Sequence, residues 1–332
     1  MSDCISIGIN GFGRIGRTLF RLLHGHPKIK VVAINDQAPG DILAHLLTFD
    51  SIHGRFSEQV THTAGHLNAA GQRIRLTHHT ALDRLDWHGV DIVVEATGRY
   101  KSKQDLQCHL AAGAKKVILS APPLTDDIKT IVMGVNQSLV HQDDTIISNA
   151  SCTTNNAAPM LKVVHELYGV TQASISTVHS FTTDQNLHDQ THLDFRRARA
   201  ATASIIPTTT GAAKALTKVF PELADAIGGC GIRVPIANGS LTDMTLNVSK
   251  KVNREELNLA FKTAAQGGLK GILEYSEQPL VSVDIIGNTH SCVFDAEMTS
   301  VIGHMVKIIG WYDNETGYSS RIIDLIDHLS RK

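Results

Sequence analysis

The 332-residue sequence has only five cysteines, with neither a CxxC pair nor the close spacing of a disulfide framework. This pattern favours reduced thiols in a cytoplasmic protein. No apolar run approaches the roughly 20 residues of a membrane span. The net charge of −1 gives no basic excess for binding nucleic acid or an anionic membrane. A strand-like run starts at Ile5, which we expect to leave no room for a signal peptide. The length is sufficient for two domains.

The first half carries a strand, a glycine loop and a helix in immediate succession. Gly11, Gly13 and Gly16 follow the apolar run 5–9 in the spacing GxGxxG, and a leucine stripe of helical period comes next. The first glycine permits a tight turn, the second lets backbone approach a pyrophosphate, and the third brings helix close to strand. A second apolar strand leads to Asp36, 20 residues after Gly16 (36 − 16), where an acid binds ribose hydroxyls. The combination predicts a dinucleotide site, whereas the glycines alone also suit a structural turn.

Further alternation of strands and helices predicts a doubly wound parallel sheet. Apolar runs predict strands at residues 90–95, 116–120, 130–133 and 144–148, a helix at 103–112 and a hairpin around 68–76. Ligands of such sheets bind at the carboxyl ends of the strands. Thr97, Gly98 and Ser120 are therefore candidates for cofactor contact, although each also suits an ordinary turn.

Cys152 lies where the strand ending at Ser148 gives way to a helical pattern. Hydroxyl and amide residues surround it, as is typical of an N-cap. Free N–H groups and the helix dipole favour a thiolate at such a position. We interpret Cys152 as a catalytic nucleophile; a buried cysteine beside a capping turn is the alternative. His179, 27 residues later (179 − 152), ends an alternating strand and is a candidate base for this thiol.

The second half otherwise reads as a mixed set of strands and helices. Its patterns predict strands at 173–178, from Arg233 to 235, at 240–248 and at 301–312. They also predict a helix at 212–218, preceded by the segment Thr208 to Gly211. A last helix is predicted with one apolar face made by Tyr318, Ile322, Leu325, Ile326 and Leu329. The start of the helix at 212 is a second potential anion site. Arg196, Arg197 and Arg199 lie in a long polar segment, 184–203, and we interpret them as salt-bridging residues. His188 and His192 lack a supporting carboxylate or helix, so we predict no metal site.

Four motifs occur in order along the chain: Asn10–Arg17, Ser148–Asn155, Arg196–Arg199 and Trp311–Tyr318. In these motifs the sequence resembles the phosphorylating glyceraldehyde-3-phosphate dehydrogenase family, and the resemblance extends over essentially the whole chain. It implies a Rossmann-type NAD-binding domain at 1–151, completed by the helix 315–332. It also implies an α+β catalytic domain at 152–314 with a mostly antiparallel sheet.

The resemblance implies oxidation of D-glyceraldehyde 3-phosphate with NAD through a thioester on Cys152, with His179 as the base and inorganic phosphate as the final acceptor. For the cofactor it implies Arg14 and Ile15 at the pyrophosphate, Asp36 at the ribose, and Asn314 and Tyr318 at the nicotinamide. For the substrate phosphate it implies Thr182, Asp184 and Arg233, and for inorganic phosphate Ser151, Thr153, Thr210 and Gly211. It further implies a homotetramer in which the long loop lies near a neighbouring subunit's cofactor.

Three positions depart from the family pattern. Asn156 stands where a second cysteine is usual, which excludes a disulfide between positions 152 and 156. Gln190 and Thr191 replace the Leu-Pro pair of NAD-restricted members, while Asp36 repels the extra phosphate of NADP. We therefore predict NAD as the preferred cofactor, with some activity on NADP. The segment 236–239, beside Arg233, also differs from the usual Thr-Pro-Asn-Val.

Two other functions are also compatible with the sequence. Erythrose-4-phosphate dehydrogenase shares the cysteine chemistry but finishes with water, so the rate would not depend on phosphate. A non-catalytic NAD-binding redox sensor would use Cys152 as its switch. Such a sensor would have no need of two anion sites.

Overall fold

The computed structural model describes residues 4–331, which group into two compact units. The first unit consists of residues 4–131, 138–150 and 319–331, and the second of 132–137 and 151–318. Within the described residues no helix has the length and apolar character needed to cross a membrane.

The first unit contains a nine-stranded sheet with helices and a separate pair of short strands, Phe49–Asp50 and Gly54–Arg55. Its elements are β1 (Ile5–Asn10), α1 (Arg14–Leu23), β2 (Ile29–Asn35), α2 (Gly40–Thr48), β3 (Phe49–Asp50), β4 (Gly54–Arg55), β5 (Val60–Thr63), β6 (His66–Ala69), β7 (Gln72–Thr77), β8 (Ile92–Glu95), α3 (Lys103–Ala111), β9 (Lys116–Leu119), β10 (Lys129–Thr130) and β11 (Ile146–Ser148). The sheet order is β10-β11-β9-β8-β1-β2-β7-β6-β5. The β1 strand pairs in parallel with β2 on one side and β8 on the other, so the winding reverses beside β1. In open parallel sheets a ligand crevice forms at such a reversal.

The centre of this sheet is apolar and tightly packed. Ile7, Ile9 and Val94 are completely buried. A Cβ on Gly8 would lie 2.8 Å from the Trp87 ring, so the indole packs directly on the β1 backbone. The hairpin predicted around 68–76 is confirmed, because β6 and β7 pair antiparallel.

The second unit contains the mixed sheet. Its elements are α4 (Cys152–Tyr168), β12 (Val170–Ser180), β13 (Ile206–Thr208), α5 (Ala212–Val219), β14 (Ile227–Val234), β15 (Ser240–Val248), α6 (Arg254–Gln266), β16 (Leu273–Ser276), β17 (Cys292–Asp295), β18 (Ser300–Ile302) and β19 (Met305–Tyr312). The main order is β13-β14-β12-β15-β19-β17-β16. The predicted fold class is confirmed: a largely parallel sheet in one unit and, in the other, a mixed sheet in which β12–β14 and β16–β17 are the parallel pairs.

The last helix, α7 (Thr316–Ser330), buries the predicted stripe from Tyr318 to Leu329. Its residues from Ser319 onward group with the first unit. The main segment of the second unit begins at Ser151, directly before α4.

Three strand predictions were wrong in their bounds. The strand expected at 130–133 is only β10, at 129–130. Arg233 does not begin a strand but is the penultimate residue of β14. The earlier part of β14 was not predicted because it is rich in glycine, which is depleted in strands. The segment 301–312 is a hairpin of β18 and β19, since Gly303 (φ +63°) turns the chain between them.

Candidate active site

The glycine loop after β1 has the geometry expected of a pyrophosphate-binding turn. Gly11 has φ +94°, and a Cβ there would lie 2.7 Å from the Thr97 amide nitrogen. A Cβ on Gly16 would lie 2.3 Å from the Gly11 carbonyl oxygen, which explains the close approach of α1 to the loop. Gly13, in contrast, has open space beside it and precedes α1 without a side-chain cap. A helix start without a side-chain cap suits an anion.

Asp36 ties the glycine loop to the end of β2. Its carboxylate accepts the Phe12 amide at 2.7 Å and the Ala38 amide at 2.9 Å. Beside it lies a cavity of about 340 Å³ whose wall includes Gly11, Gly13, Asp36 and Thr97. The cavity has acceptors on one wall and an open glycine backbone on another, which fits the adenosine part of a dinucleotide.

The other predicted cofactor residues of this unit divide into two groups. Thr97 lines the cavity, whereas Gly98 is exposed with φ +70° and Ser120 donates its amide to the Glu95 carbonyl oxygen; neither of these two is in the cavity wall. Ile15 and Arg14 form the first turn of α1.

Arg14 is held by an ion pair with Asp50 at 2.5 Å. Burial opposes ionisation of Asp50, but hydrogen bonds from Arg14 and from the amides of His53 and Ile52 hold its pKa well below the usual range. The guanidinium is therefore fixed near the start of α1.

Cys152 is the first residue of α4, as predicted. Ala150 has φ +56°, an unusual conformation for a residue with a side chain, and it turns the chain sharply into the helix. The Ser151 hydroxyl caps the helix by accepting the Thr154 amide at 3.1 Å. Cys152 is a half-buried residue.

His179 meets this sulfur across the second unit. Its Nε2 lies 3.3 Å from Cys152 Sγ. The ring packs edge-on against Tyr312 with 5.8 Å between centroids. Tyr312 also exchanges hydrogen bonds of 2.9 Å with the Thr153 and Thr177 hydroxyls. Sequence reasoning missed Tyr312, although it lies inside the Trp311–Tyr318 motif; it connects the helix that carries Cys152 with the strand that carries His179.

Arg233 is in direct contact with the other side of the imidazole. Its Nη1 lies 2.6 Å from His179 Nδ1 and 3.0 Å from the Ser180 carbonyl oxygen, while Nδ1 is 2.7 Å from that same oxygen. If Nδ1 donates to Ser180, Nε2 is left to accept a proton; if Nδ1 accepts from Arg233, Nε2 carries the proton. The position of Arg233 therefore selects the His179 tautomer that faces Cys152.

The same neighbours shift the acid–base behaviour of the pair. Burial raises the pKa of the Cys152 thiol, and the Arg233 charge and hydrogen bonds from Thr153 oppose it. Burial, reinforced by Arg233, lowers the pKa of His179 to about 3. The helix start thus does not by itself set the thiol pKa, because desolvation acts in the opposite direction.

The other predicted phosphate-binding residues have local partners of their own. Thr182 donates its amide to Gln185. The Thr210 hydroxyl accepts the Ala212 amide, and Gly211 precedes α5. Asp184 pairs with Arg197 at 2.5 Å.

The interpretation of the loop arginines as salt-bridging residues is confirmed for two of the three. Arg197 also pairs with Asp194 at 3.0 Å, and Arg199 pairs with Asp189 at 2.9 Å. The Arg196 side chain is exposed.

Asn314 has a fixed amide. Its Oδ1 accepts hydrogen bonds from the Ser180 hydroxyl at 2.9 Å and the Ser240 hydroxyl at 3.1 Å. The Nδ2 donor of the amide therefore points away from these two serines. Such a donor suits a carboxamide oxygen. Tyr318, four residues after Asn314 in the sequence, is buried.

Asn156 anchors α4 rather than supplying a second thiol. It is fully buried, and its Nδ2 lies 3.2–3.3 Å from the carbonyl oxygens of Ser291, Gly310 and Trp311. Among residues 4–331, no three histidine, cysteine or carboxylate side chains cluster as metal ligands would.

Comparison with known proteins assigns the chain to a family. Residues 5–103 match the family described as glyceraldehyde 3-phosphate dehydrogenase, NAD binding domain, and residues 151–314 match its C-terminal domain. The chain is 52% identical to the glyceraldehyde-3-phosphate dehydrogenase of Geobacillus stearothermophilus, with 99% of each chain covered. It is 48% identical to glyceraldehyde-3-phosphate dehydrogenase 1 of Bacillus subtilis (strain 168), again over 99% of each, and 49% identical to the enzyme of Streptomyces coelicolor over 97% of each. With NAD-binding and catalytic parts both matched, the chain belongs to the glyceraldehyde-3-phosphate dehydrogenase family.

Proposed function

We propose that this chain oxidises D-glyceraldehyde 3-phosphate to 1,3-bisphosphoglycerate with NAD and inorganic phosphate, through a thioester on Cys152. The observation that carries the proposal is the position of Cys152 Sγ at the start of α4, 3.3 Å from His179 Nε2. A thiol next to a base is the minimal unit of covalent catalysis on an aldehyde.

The roles of Cys152 and His179 follow from this geometry. Cys152 Sγ forms a bond to the aldehyde carbon while its proton passes by way of His179 to the aldehyde oxygen, giving a thiohemiacetal. His179 then takes the hydroxyl proton as the carbon loses a hydride and becomes a thioester. Bound NAD supplies the acceptor for that hydride. An oxygen of inorganic phosphate attacks the thioester, the carbon–sulfur bond breaks, and the acyl phosphate leaves.

For the cofactor we propose the cavity beside Asp36. Gly11, Gly13 and the first turn of α1, with Arg14 and Ile15, would hold the pyrophosphate, and Asp36 the ribose hydroxyls. Thr97, Gly98 and Ser120, at the ends of neighbouring strands, would complete this side. The residues fit the group because Gly13 leaves space for it and Asp36 offers acceptors. Asn314, whose Nδ2 is directed away from its two hydroxyl donors, would hold the nicotinamide carboxamide, with Tyr318 close by in sequence.

For the two anions we propose separate sets of residues. Arg233, with Thr182 and Asp184, would bind the substrate phosphate, and Ser151, Thr153, Thr210 and Gly211 the inorganic phosphate. Asp184 would act through its ion pair with Arg197, because a carboxylate repels a phosphate directly.

Binding of the substrate phosphate by Arg233 would also prepare the base. A phosphate dianion that draws the guanidinium away from Nδ1 leaves the Ser180 carbonyl as the partner of the Nδ1 proton. His179 Nε2 is then the free acceptor facing sulfur, and the Arg233 charge, which adds to burial in lowering the His179 pKa, is neutralised. Substrate binding and base activation are thereby coupled through one arginine.

We propose a homotetramer in the cytoplasm. In the loop 181–205, Leu193 and Phe195 are 102% and 90% exposed in the single chain. Apolar side chains this exposed on one loop favour coverage by another copy. The five cysteines are all free thiols, which suits a reducing compartment. Sedimentation of the wild type and of Phe195→Asp tests the assembly: a tetramer that the variant weakens is expected, and a wild-type monomer contradicts it.

A steady-state assay tests the function. NADH formation is followed with glyceraldehyde 3-phosphate or erythrose 4-phosphate, with and without phosphate, on NAD and on NADP. We expect phosphate-stimulated turnover of glyceraldehyde 3-phosphate, with NAD preferred over NADP and weak NADP activity. Turnover of erythrose 4-phosphate at a rate that does not depend on phosphate would favour an erythrose-4-phosphate dehydrogenase. NAD binding without turnover of either aldehyde would favour the redox sensor.

A further inference from the structure

A fully buried carboxylate lies beneath the proposed cofactor cavity and takes no part in the cysteine chemistry. Glu95, the last residue of β8, and His109, on α3, both have completely buried side chains. The Nε2 atom of His109 is 3.0 Å from Glu95 Oε2. Trp87 donates its indole N–H to His109 Nδ1 at 3.0 Å.

The indole fixes the direction of every hydrogen bond that follows. Because Trp87 can only donate, His109 Nδ1 accepts, and the proton of the neutral imidazole must be on Nε2. His109 therefore donates to Glu95. The same carboxylate oxygen accepts Asn10 Nδ2 at 2.6 Å. The other oxygen accepts both the amide and the hydroxyl of Thr97.

From Asn10 the chain of hydrogen bonds continues to the far wall of the cavity. Asn35 Nδ2 donates to Asn10 Oδ1 at 2.8 Å. Asn35 Oδ1 accepts the Thr77 hydroxyl and the His79 amide, each at 2.9 Å. Glu95 thus holds the turn after β8, and Asn35 holds the segment after β7. Asn10, Asn35, His79 and Thr97 all line the cavity.

A buried carboxylate without a cationic partner is costly unless its hydrogen bonds are complete. The four donors around Glu95 meet this requirement, and three of them come from two residues of the cavity wall, Asn10 and Thr97. An apolar residue would fill the same space at lower cost but would not impose a direction on Asn10 or close the Thr97 turn. The arrangement thus suits a site that must be rigid before its ligand arrives.

We propose that Glu95 and His109 are positioning residues for NAD: they hold the Thr97 turn and the Asn10–Asn35 pair in the arrangement that binds the adenosine part. The inference rests on the proposed location of the cofactor. His109 acts through Glu95, and neither residue touches the substrate.

Two substitutions at position 109 separate this role from packing. His109→Asn puts an amide oxygen near the place of Nδ1, so the partner of Trp87 is kept but the donor to Glu95 is lost. His109→Gln reaches further and keeps a donor to Glu95 but loses the acceptor for Trp87. The dissociation constant of NAD is measured by calorimetry, and kcat at saturating NAD by NADH formation. His141→Asn and His141→Gln, at an exposed position of the same unit, are the controls.

We expect His109→Asn to weaken NAD binding about tenfold and His109→Gln by less than about threefold, with kcat unchanged in both. In a Trp311→Phe background, where Trp87 is the sole tryptophan, its emission should shift in His109→Gln and stay unchanged in His109→Asn. Equal NAD affinities for the two variants, or weaker binding by His109→Gln, would overturn the proposal.

Two further variants, at Thr97 and at Asp36, test the hydrogen bonds of Glu95 and the location of the cofactor separately. If the position 109 variants do not fold, Thr97→Val removes one donor to Glu95 from a partly exposed residue; it should raise the dissociation constant several-fold, and unchanged affinity contradicts the proposal. Asp36→Ala tests the cofactor location itself. If Asp36→Ala leaves NAD affinity intact, the location is wrong; if it weakens binding while His109→Asn does not, the location stands and the positioning role fails.

Discussion

The replacement His179→Asn tests the catalytic pair most directly. Asparagine has no basic nitrogen, so the thiol loses the group that lies 3.3 Å from Sγ. A well-placed general base contributes about 10²–10⁴-fold, or about 2.7–5.4 kcal/mol of activation free energy. The ring is held by Ser180 at 2.7 Å and by the edge of Tyr312, so little is lost to poor orientation.

The structure also predicts how this loss depends on the substrate. Burial, together with Arg233, whose Nη1 lies 2.6 Å from Nδ1, lowers the pKa of His179 to about 3, which makes it a weak base. A substrate phosphate that engages Arg233 raises that pKa and strengthens the base. The loss caused by His179→Asn should therefore approach about 10⁴-fold for glyceraldehyde 3-phosphate and about 10²-fold for unphosphorylated glyceraldehyde.

Stopped-flow measurement of the first turnover of NADH separates hydride transfer from later steps. His304→Asn, in the same unit and on the exposed end of the β18–β19 hairpin, is the control for general destabilisation. NAD affinity should not change in His179→Asn. An unchanged first turnover would remove His179 from its role, and equal losses for both aldehydes would refute the coupling through Arg233.

The remaining predictions concern the nucleophile, the anchor of its helix and the cofactor loop. Iodoacetamide should label Cys152 first near neutral pH, because His179 Nε2 lies 3.3 Å from its sulfur and can take the thiol proton, whereas Cys292 should react last because the whole residue is buried and no base adjoins its sulfur; mass spectrometry showing equal labelling of all thiols refutes this. Asn156→Ala should lower the free energy of unfolding by about 1–3 kcal/mol through loss of its buried hydrogen bonds, and an unchanged denaturation midpoint contradicts it. The folded-state pKa of Asp50 lies below its unfolded value, so the contribution of its ion pair with Arg14 is present above about pH 4 and is lost as the pH falls further. Asp50→Asn should therefore lower stability at neutral pH and weaken its acid dependence, and parallel pH profiles of variant and wild type would exclude that contribution.

The sequence was informative where structure depends on neighbours along the chain. The glycine loop follows from local backbone requirements, since Gly11 needs positive φ and Gly16 needs close contact. The start of α4 at Cys152 follows from its Ser151 cap. Local patterns failed where a strand is stabilised by its partners: the glycine-rich β14 has little intrinsic strand preference, so Arg233 was misplaced at its beginning.

The sequence alone determined the fold class, the glycine loop and the position of Cys152 at the start of α4, because each depends on short-range pattern and backbone sterics. Tertiary structure decided which side chains meet. His179 and Arg233 are register partners of β12 and β14, and a slip of one residue would turn one of them to the opposite face. The Glu95–His109 pair likewise exists only because β8 and α3 pack together, and no local pattern in the chain specifies that contact.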